Sequence, residues 1–458
     1  MKFKHTFAKR LMVGLIIAAS TAGLALFAVH KNFPIVRDVL TDQAYGKIAV
    51  ARPLLSSPDL VLVFADTKKF PAGDLARRIA QTGAAVAVVD TANALHALTG
   101  SDNRCMKADR IMEPMGILAN WAHASNNKRS LLAGIEGGAL LPFLSALTSS
   151  GAARNLSVGF SVKIPDGVEL CAPLTVAQKQ GQSLLTAAPP LQGKWLAVWT
   201  DQPEADTAVL VRSLAGAQTA IEPYDTPLDT VTVNEIKKIQ SEEDRTGGNS
   251  FPVVEVPAKN PNETVTLFYS GDGGWRDLDR AVAGLMAEQG YPVVGVDTLR
   301  AFWSSKTPEQ SAAQLAAIMA YYRTTWKAEK FVLAGYSFGA DIMPAVYNRL
   351  SETDRDSVAL LVLLALGKKA DFEIHVSGWI SKSSNGLPIL PELQRIAGKK
   401  IFCIYGQEEK NDSACAALST PGARLLGLPG GHHFDQNYPK LTSRILDIYR
   451  QAGLQGSN

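Results

Sequence analysis

Net charge, histidine and patterned cysteine are all scarce in this 458-residue chain, and each shortage narrows what it can do. The formal net charge is only +3, and no long basic tract or basic stripe interleaved with aromatics is present. Nucleic-acid binding therefore has no electrostatic footprint. The four cysteines lack CxxC spacing, which argues against a zinc site, and no metal or other cofactor is expected. With seven histidines in the chain, one that falls beside a glycine pair near the end is informative. Beyond residue 29 no apolar run approaches membrane-spanning length, and the longest, Val358 to Leu366, reads as a buried strand. A hydrophobic content of 46% with 19% charged residues is that of a globular protein, and the length suggests two or three domains.

The first thirty residues stand apart. Lys2, Lys4, Lys9 and Arg10 precede an apolar run from Leu11 to Val29, the pattern of a secretory signal or an N-terminal anchor. Gly23-Leu24-Ala25 offers a poor cleavage site. The rest of the chain is accordingly expected to be exported, where disulfides are possible. Pairing within each half, Cys105 with Cys171 and Cys403 with Cys415, is the simplest arrangement.

After a polar stretch (30–57), Asp59 to Ala65 reads as a strand, Asp74 to Ala80 as a helix and Ala84 to Thr91 as the next strand. Continuously apolar strands separated by helices mean a parallel sheet covered on both faces. The same text recurs in the second half. Val265 to Tyr269, the helix Asp277 to Gln289 and the strand Tyr291 to Thr298 repeat the order, and both following strands end in Asp-Thr. Leu132 to Ala139 lines up with Leu333 to Ala340, and Gly193 to Trp199 with Gly398 to Ile404. Four matched segments in one order indicate an internal duplication. The expected layout is a leader (1–30), a first α/β domain (31–225), a polar Gly-containing linker (226–258) and a second α/β domain (259–458).

The two copies differ where chemistry would sit. In the second, the apolar run Lys330 to Ala334 enters Gly335-Tyr336-Ser337-Phe338-Gly339 and a helix-compatible run leaves it. This is the context of a nucleophile elbow, a sharp strand-to-helix turn that lifts a serine hydroxyl above the sheet. A serine needs a base and an orienting carboxylate. The acid is expected just past the strand Lys400 to Tyr405, with Asp412 the first choice and Glu409 the alternative. The base is expected in Gly430-Gly431-His432-His433-Phe434, with His432 favoured over His433. Serine, acid, histidine is the chain order of α/β-hydrolases. Oxyanion donors would be the N–H of Phe338 and that of Asp272 or Gly273 in the Ser270 to Trp275 loop. Trp275 and Trp303 fall in loops after strands, and their large faces suit a lipid or acyl group. Asp341 could meet a cationic group near the nucleophile, as could Asp277. The first copy carries Glu136 in place of the serine and Ile221 to Asp225 in place of the histidine loop. It reads as a degenerate domain serving stability, substrate capture or partner binding.

These motifs resemble those of the VirJ/AcvB family of bacterial virulence-associated proteins. GYSFGAD (Gly335 to Asp341), SGDGGW (Ser270 to Trp275), AFWSSKTPE (Ala301 to Glu309) and GGHHFD (Gly430 to Asp435) carry the resemblance across the second half. The additional first half is similar to the longer, AcvB-like type. The resemblance implies two tandem α/β-hydrolase-like domains, a periplasmic location and hydrolysis of lysyl-phosphatidylglycerol at a membrane surface. Ser337 would attack the aminoacyl ester, and Asp341 or Asp272 would read the lysyl ammonium. A binding or assembly factor for a secretion system, with an envelope partner, is the alternative from another class, and a general carboxylesterase is the third.

Overall fold

The computed structural model describes residues 34–54, 59–99, 105–106, 108–123, 130–148, 152, 154–171, 173–241, 252–259, 261, 263–375 and 386–454. The leader expected at 1–30 lies outside them. Among the described residues no helix is long and apolar enough to cross a membrane. They form two compact units. One takes the chain through Val198 with Leu210–Gln218 and Pro227–Glu243, and the other takes Trp199–Val209, Thr219–Thr226 and the chain from Asp244 onward.

The first sheet contains β1 (Ile35–Asp42), β2 (Gly46–Pro53), β3 (Leu60–Ala65), β4 (Ala85–Asp90), β5 (Ser130–Ile135), β6 (Arg154–Val158), β9 (Lys194–Trp199) and β10 (Gln218–Ile221). β7 (Thr175–Lys179) and β8 (Gln182–Ala187) form a separate hairpin. The sheet order is β1-β2-β4-β3-β5-β6-β9-β10. β1, β2 and β4 pair antiparallel, and β4, β3, β5, β6 and β9 pair parallel. β3 and β5 are buried at every position, as sheet strands covered on both faces must be. Helix α1 (Ala72–Ala80) packs Leu75, Ala76 and Ile79 inward.

The second sheet contains β11 (Val253–Val256), β12 (Thr264–Tyr269), β13 (Val293–Val296), β14 (Lys330–Tyr336), β15 (Val358–Leu364), β18 (Ile401–Gly406) and β19 (Arg424–Leu428). β16 (Lys369–Ala370) and β17 (Leu387–Pro388) form a two-residue ladder beside it. Its order is β11-β13-β12-β14-β15-β18-β19, with β11 antiparallel and the remaining neighbours parallel. Without the edge strand β1 and the β7–β8 hairpin, the first sheet has this same order. The registers coincide as well: Phe64 faces Gly134 in one sheet, and Tyr269 faces Gly335 in the other. This is the strand order of α/β-hydrolases, built twice. In the second sheet the order reverses at β12, so loops leaving β12 and β14 open the crevice where α/β sheets bind ligands.

Two stretches fold differently from the expectation. The polar stretch 30–57 holds the β1–β2 hairpin, whose turn is an Asp42 side chain accepting the N–H of Ala44 at 2.8 Å and of Tyr45 at 3.0 Å. Alternation is weak along β1, an edge strand, so the strand signal is faint. The 226–258 stretch is not a plain linker. It carries helix α2 (Leu228–Gln240), which buries Val231, Thr232, Glu235 and Ile236 in the first unit, and then β11 of the second sheet. The residues that suggested a linker include Lys237 and Lys238 on its outward face, and Lys238 reaches back to the buried Glu235 at 2.8 Å. Part of the remaining polar run, 242–250, lies outside the described residues. Replacing Ile236 with Ala should cost about 2–5 kcal/mol of stability, the range for emptying a buried aliphatic site, measured by urea unfolding of the full chain. A substitution in a solvated linker would leave the transition unmoved.

Candidate active site

The turn after β14 forces Ser337 to φ 51° and ψ −118°. A non-glycine residue at positive φ costs about 1–3 kcal/mol and persists only where its surroundings over-determine it. Here two glycine contacts do so. A Cβ on Gly335 would lie 2.5 Å from the carbonyl of Gly339, and one on Gly339 would lie 2.3 Å from the carbonyl oxygen of Tyr269. Strand β14 and helix α3 (Phe338–Asn348) can approach this closely only without side chains at those positions. The serine is thereby held at the helix N-terminus.

His432 Nε2 stands 2.8 Å from Ser337 Oγ, and His432 Nδ1 stands 2.9 Å from Glu409 Oε2. A carboxylate can only accept, so Nδ1 carries the proton and donates to Glu409, leaving Nε2 to accept from the serine hydroxyl. The structure thus brings Ser337, His432 and Glu409 into one chain of hydrogen bonds. Asp412, the first choice for the acid, is not in it. Its side chain is 90% exposed, with Lys368 Nζ 3.8 Å away. The reason is local: a 3₁₀ turn (Gln407–Glu409) begins as soon as β18 ends, which delivers Glu409 to the imidazole and leaves Asp412 beyond it. His433 turns the other way, its Nδ1 3.1 Å from the Tyr336 hydroxyl.

The loop after β12 lies directly against the serine. A Cβ on Gly271 would be 3.8 Å from the Ser337 Cβ, and Gly339 N–H donates to Ser270 O at 3.1 Å. The N–H of Phe338 is a first-turn helix donor without an intrahelical acceptor. Asp272 and Gly273 follow Gly271 around a turn closed by Gly274 N–H to Gly271 O at 3.1 Å. Gly273 is boxed in, since a Cβ there would lie 2.7 Å from the Arg276 guanidinium.

Sequence reading passed over what fixes that loop. Thr298 donates its N–H to Ser270 Oγ at 3.0 Å, and its hydroxyl donates to Gly271 O. Thr298 is fully buried. The signal was present as the Asp-Thr pair that closes the corresponding strand in both halves. Trp275 and Trp303 do not present faces to a ligand, because each is only 6% exposed. Trp275 folds back over its own sheet, where it meets Phe268 edge-on at 5.8 Å and occupies the space a side chain at Gly295 would need. Asp277 points outward, 76% exposed and 3.9 Å from Arg276.

Asp341 lies one turn into α3, its N–H donating to Ser337 O at 2.9 Å, and its Oδ1 accepts the N–H of Gly367 at 2.7 Å. Burial of the carboxyl raises its pKa to about 8, opposed by the Gly367 N–H and helped by the negative charges of Asp272 and Asp371. The charges of Asp272 and Asp371 thus act on the buried Asp341 carboxyl.

The first unit repeats the elbow with different chemistry. Glu136 has φ 51°, and a Cβ on Gly134 or Gly138 would meet backbone oxygen at 2.1 or 2.3 Å. Its carboxylate is paired to Lys69 Nζ at 2.5 Å, a residue of the loop after β3.

Residues 263–453 match the family model described as "Bacterial virulence protein (VirJ)". No curated protein sequence matches the chain. Among solved structures, Est1E from Butyrivibrio proteoclasticus with ferulic acid bound is 14% identical at a TM-score of 0.33, covering 44% of this chain and 94% of its own. An α/β serine hydrolase without lid from Xanthomonas campestris is 16% identical at 0.31, covering 43% and 88%. MenH from S. aureus is 11% identical at 0.35, covering 44% and 99%. The fold assignment rests on the strand order described above.

The Asp341 carboxyl yields a stability test. Its folded pKa lies above the unfolded value of about 3.9, so the folded chain keeps a proton that the unfolded chain releases. The associated stability is complete below the unfolded pKa and is lost as pH rises toward about 8. Asp341→Asn removes that loss. The Tm of the variant relative to the parent should climb steadily from about pH 5 to pH 8 in calorimetric scans. A pH-independent difference would mean that the carboxyl is already ionised.

Proposed function

We propose that the chain is a serine hydrolase of carboxylic esters whose reacting unit is Ser337, His432 and Glu409. The observation that carries this reading is the unbroken hydrogen-bond chain from Ser337 Oγ through both imidazole nitrogens to Glu409. In the reaction His432 Nε2 takes the serine proton as Oγ bonds to the ester carbonyl carbon. The carbonyl oxygen becomes an oxyanion, stabilised by the N–H of Phe338 and that of Asp272 or Gly273. Glu409 orients the imidazole and offsets its positive charge. Collapse breaks the ester C–O bond, and His432 gives its proton to the departing alkoxide. A water then attacks the acyl-serine, with His432 again as base, and the acid and free serine are released.

The substrate we favour is the aminoacyl ester of lysyl-phosphatidylglycerol, met at a membrane surface by an exported, periplasmic protein. The VirJ match supports the family context, and the Asp341 carboxyl, one helical turn from Ser337, supports a cationic acyl group near the nucleophile. An ammonium there would draw Asp341 into its charged form, since an opposite charge within a few ångströms favours ionisation. Hydrolysis would release lysine and restore the anionic lipid.

Kinetics separate the roles. Ser337→Ala should lower kcat/KM by about 10⁵-fold or more, and Glu409→Gln by about 10³–10⁴-fold. Asp412→Asn should stay within about threefold, because an exposed charge is screened. Equal losses in Glu409→Gln and Asp412→Asn would move the acid back to the outer loop. For the substrate, Asp341→Asn should raise KM for lysyl-phosphatidylglycerol vesicles about tenfold or more, the worth of one charge-assisted contact, and barely change KM for a neutral soluble ester. Absence of lysine release from such vesicles by the parent protein, with soluble esters still cleaved, would leave a general carboxylesterase.

A further inference from the structure

Cys403 and Cys415 are joined by a disulfide, 12 residues apart in sequence, and both are fully buried. Cys403 sits inside β18, which is hydrogen-bonded on one side to β15 and on the other to β19. Cys415 sits in a short helix, Ala414–Ala417. The loop between them carries Glu409. Gln407, Glu408, Lys410, Asn411 and Asp412 are all exposed, so no apolar burial of the loop's own fixes its position. Its internal bonds, Asp412 N–H and Ser413 N–H to Glu409 O at 2.9 and 3.1 Å, shape the loop without anchoring it. Beyond the Glu409–His432 bond and the exposed Lys368–Asp412 pair at 3.8 Å, its outward anchors are Glu408 N–H to Gly430 O at 3.2 Å, Ser413 Oγ to Leu366 O at 2.8 Å, Ala414 N–H to Gly367 O at 3.2 Å and the disulfide. The disulfide alone among them is covalent. It ties the loop's exit to the same strand from which the loop departs, so both ends of the Glu409 segment ride on one rigid element.

The duplicated half supplies a comparison. By sheet register, Gly335 faces Leu363 and Leu363 faces Cys403, while Gly134 faces Ser157 and Ser157 faces Ala197. Ala197 therefore holds the position of Cys403 by register, one residue before the Val198 that the alignment of the two sequences pairs with it, and neither is a cysteine. The half without the serine and histidine has no bridge at this place. Its own disulfide, Cys105–Cys171, lies on other segments.

We propose that Cys403–Cys415 is a positioning bridge for the reaction, which holds Glu409 on His432, and that full hydrolytic rate requires it closed. The proposal rests on reading Ser337, His432 and Glu409 as the reacting unit. Reduction would leave the sheet in place but free the exit of the acid loop. Catalytic geometry is unforgiving of such freedom, and a 1 Å misplacement costs about 10²-fold. Activity would then follow the redox state of the compartment, at a rate set by how readily a buried bridge is reached.

The test uses the full chain and p-nitrophenyl butyrate. Cys403→Ala/Cys415→Ala should lower kcat about 10²-fold with KM within about threefold, while Cys105→Ala/Cys171→Ala should keep the parent kcat. Glu409→Gln should cost much less in the Cys403→Ala/Cys415→Ala background than in the parent, because the carboxylate there is already out of place. An unchanged kcat, or an equal Glu409→Gln cost in both backgrounds, overturns the proposal. If the double variant does not fold, the Cys105→Ala/Cys171→Ala protein is reduced with a phosphine and its thiols are trapped. Activity should fall in step with trapped thiol and return on reoxidation, and constant activity at full trapping overturns the proposal. Ser337→Ala is the blank: if it still turns over the ester, the reacting unit itself is misassigned and the proposal falls with it.

Discussion

Ser337 is kept at a positive φ by the contact of two glycines with backbone oxygen and carbonyl, and the rest of the second unit depends on that contact. If strand and helix stood farther apart, the serine would relax toward the sheet and its hydroxyl would leave the reach of His432. The same closeness presses the Ser270 to Gly274 loop against the nucleophile. The buried Thr298 hydroxyl fixes this loop from below. Strain at one residue is thus offset by the packing of three elements, β12, β14 and α3. The glycines that allow the packing are the ones that mark the motif.

The first unit shows that the elbow and the chemistry are separable. It keeps the glycine contacts and the positive φ but carries Glu136, ion-paired to Lys69. A strained turn retained without its serine is explained by the fold: β5 and the helix after it must still meet closely for the sheet to be covered. What the second unit adds is the serine, a histidine hydrogen-bonded to it, a glutamate hydrogen-bonded to that histidine, and a disulfide closing the loop that bears the glutamate. The residues that distinguish the two elbows lie in turns and loops that follow the strands, as expected where a scaffold holds a site.

Most of the sheet could be read from sequence because its strands are continuous apolar runs, a signal that survives without long-range information. β1 escaped because an edge strand has only a weak face to bury, and α2 escaped because its charged outer face masked a four-residue buried stripe. At the site, glycine pairs flagged Ser337 and His432 directly. The acid was harder: Glu409 and Asp412 are three residues apart in one loop, and a 3₁₀ turn that no local pattern announces decides between them. Trp275 misled for a similar reason. A tryptophan in a loop can face solvent or fold back, and the absence of a side chain at Gly295, remote in sequence, makes room for the second.

Everything proposed here about chemistry requires that Ser337 be a nucleophile activated by His432. A fluorophosphonate reacts only with such a serine, and intact-protein mass spectrometry followed by peptide mapping shows where it lands. One adduct per chain on Ser337, formed at rates that collapse in His432→Ala, is the predicted result. An unlabelled chain, or a label on another serine, would contradict it.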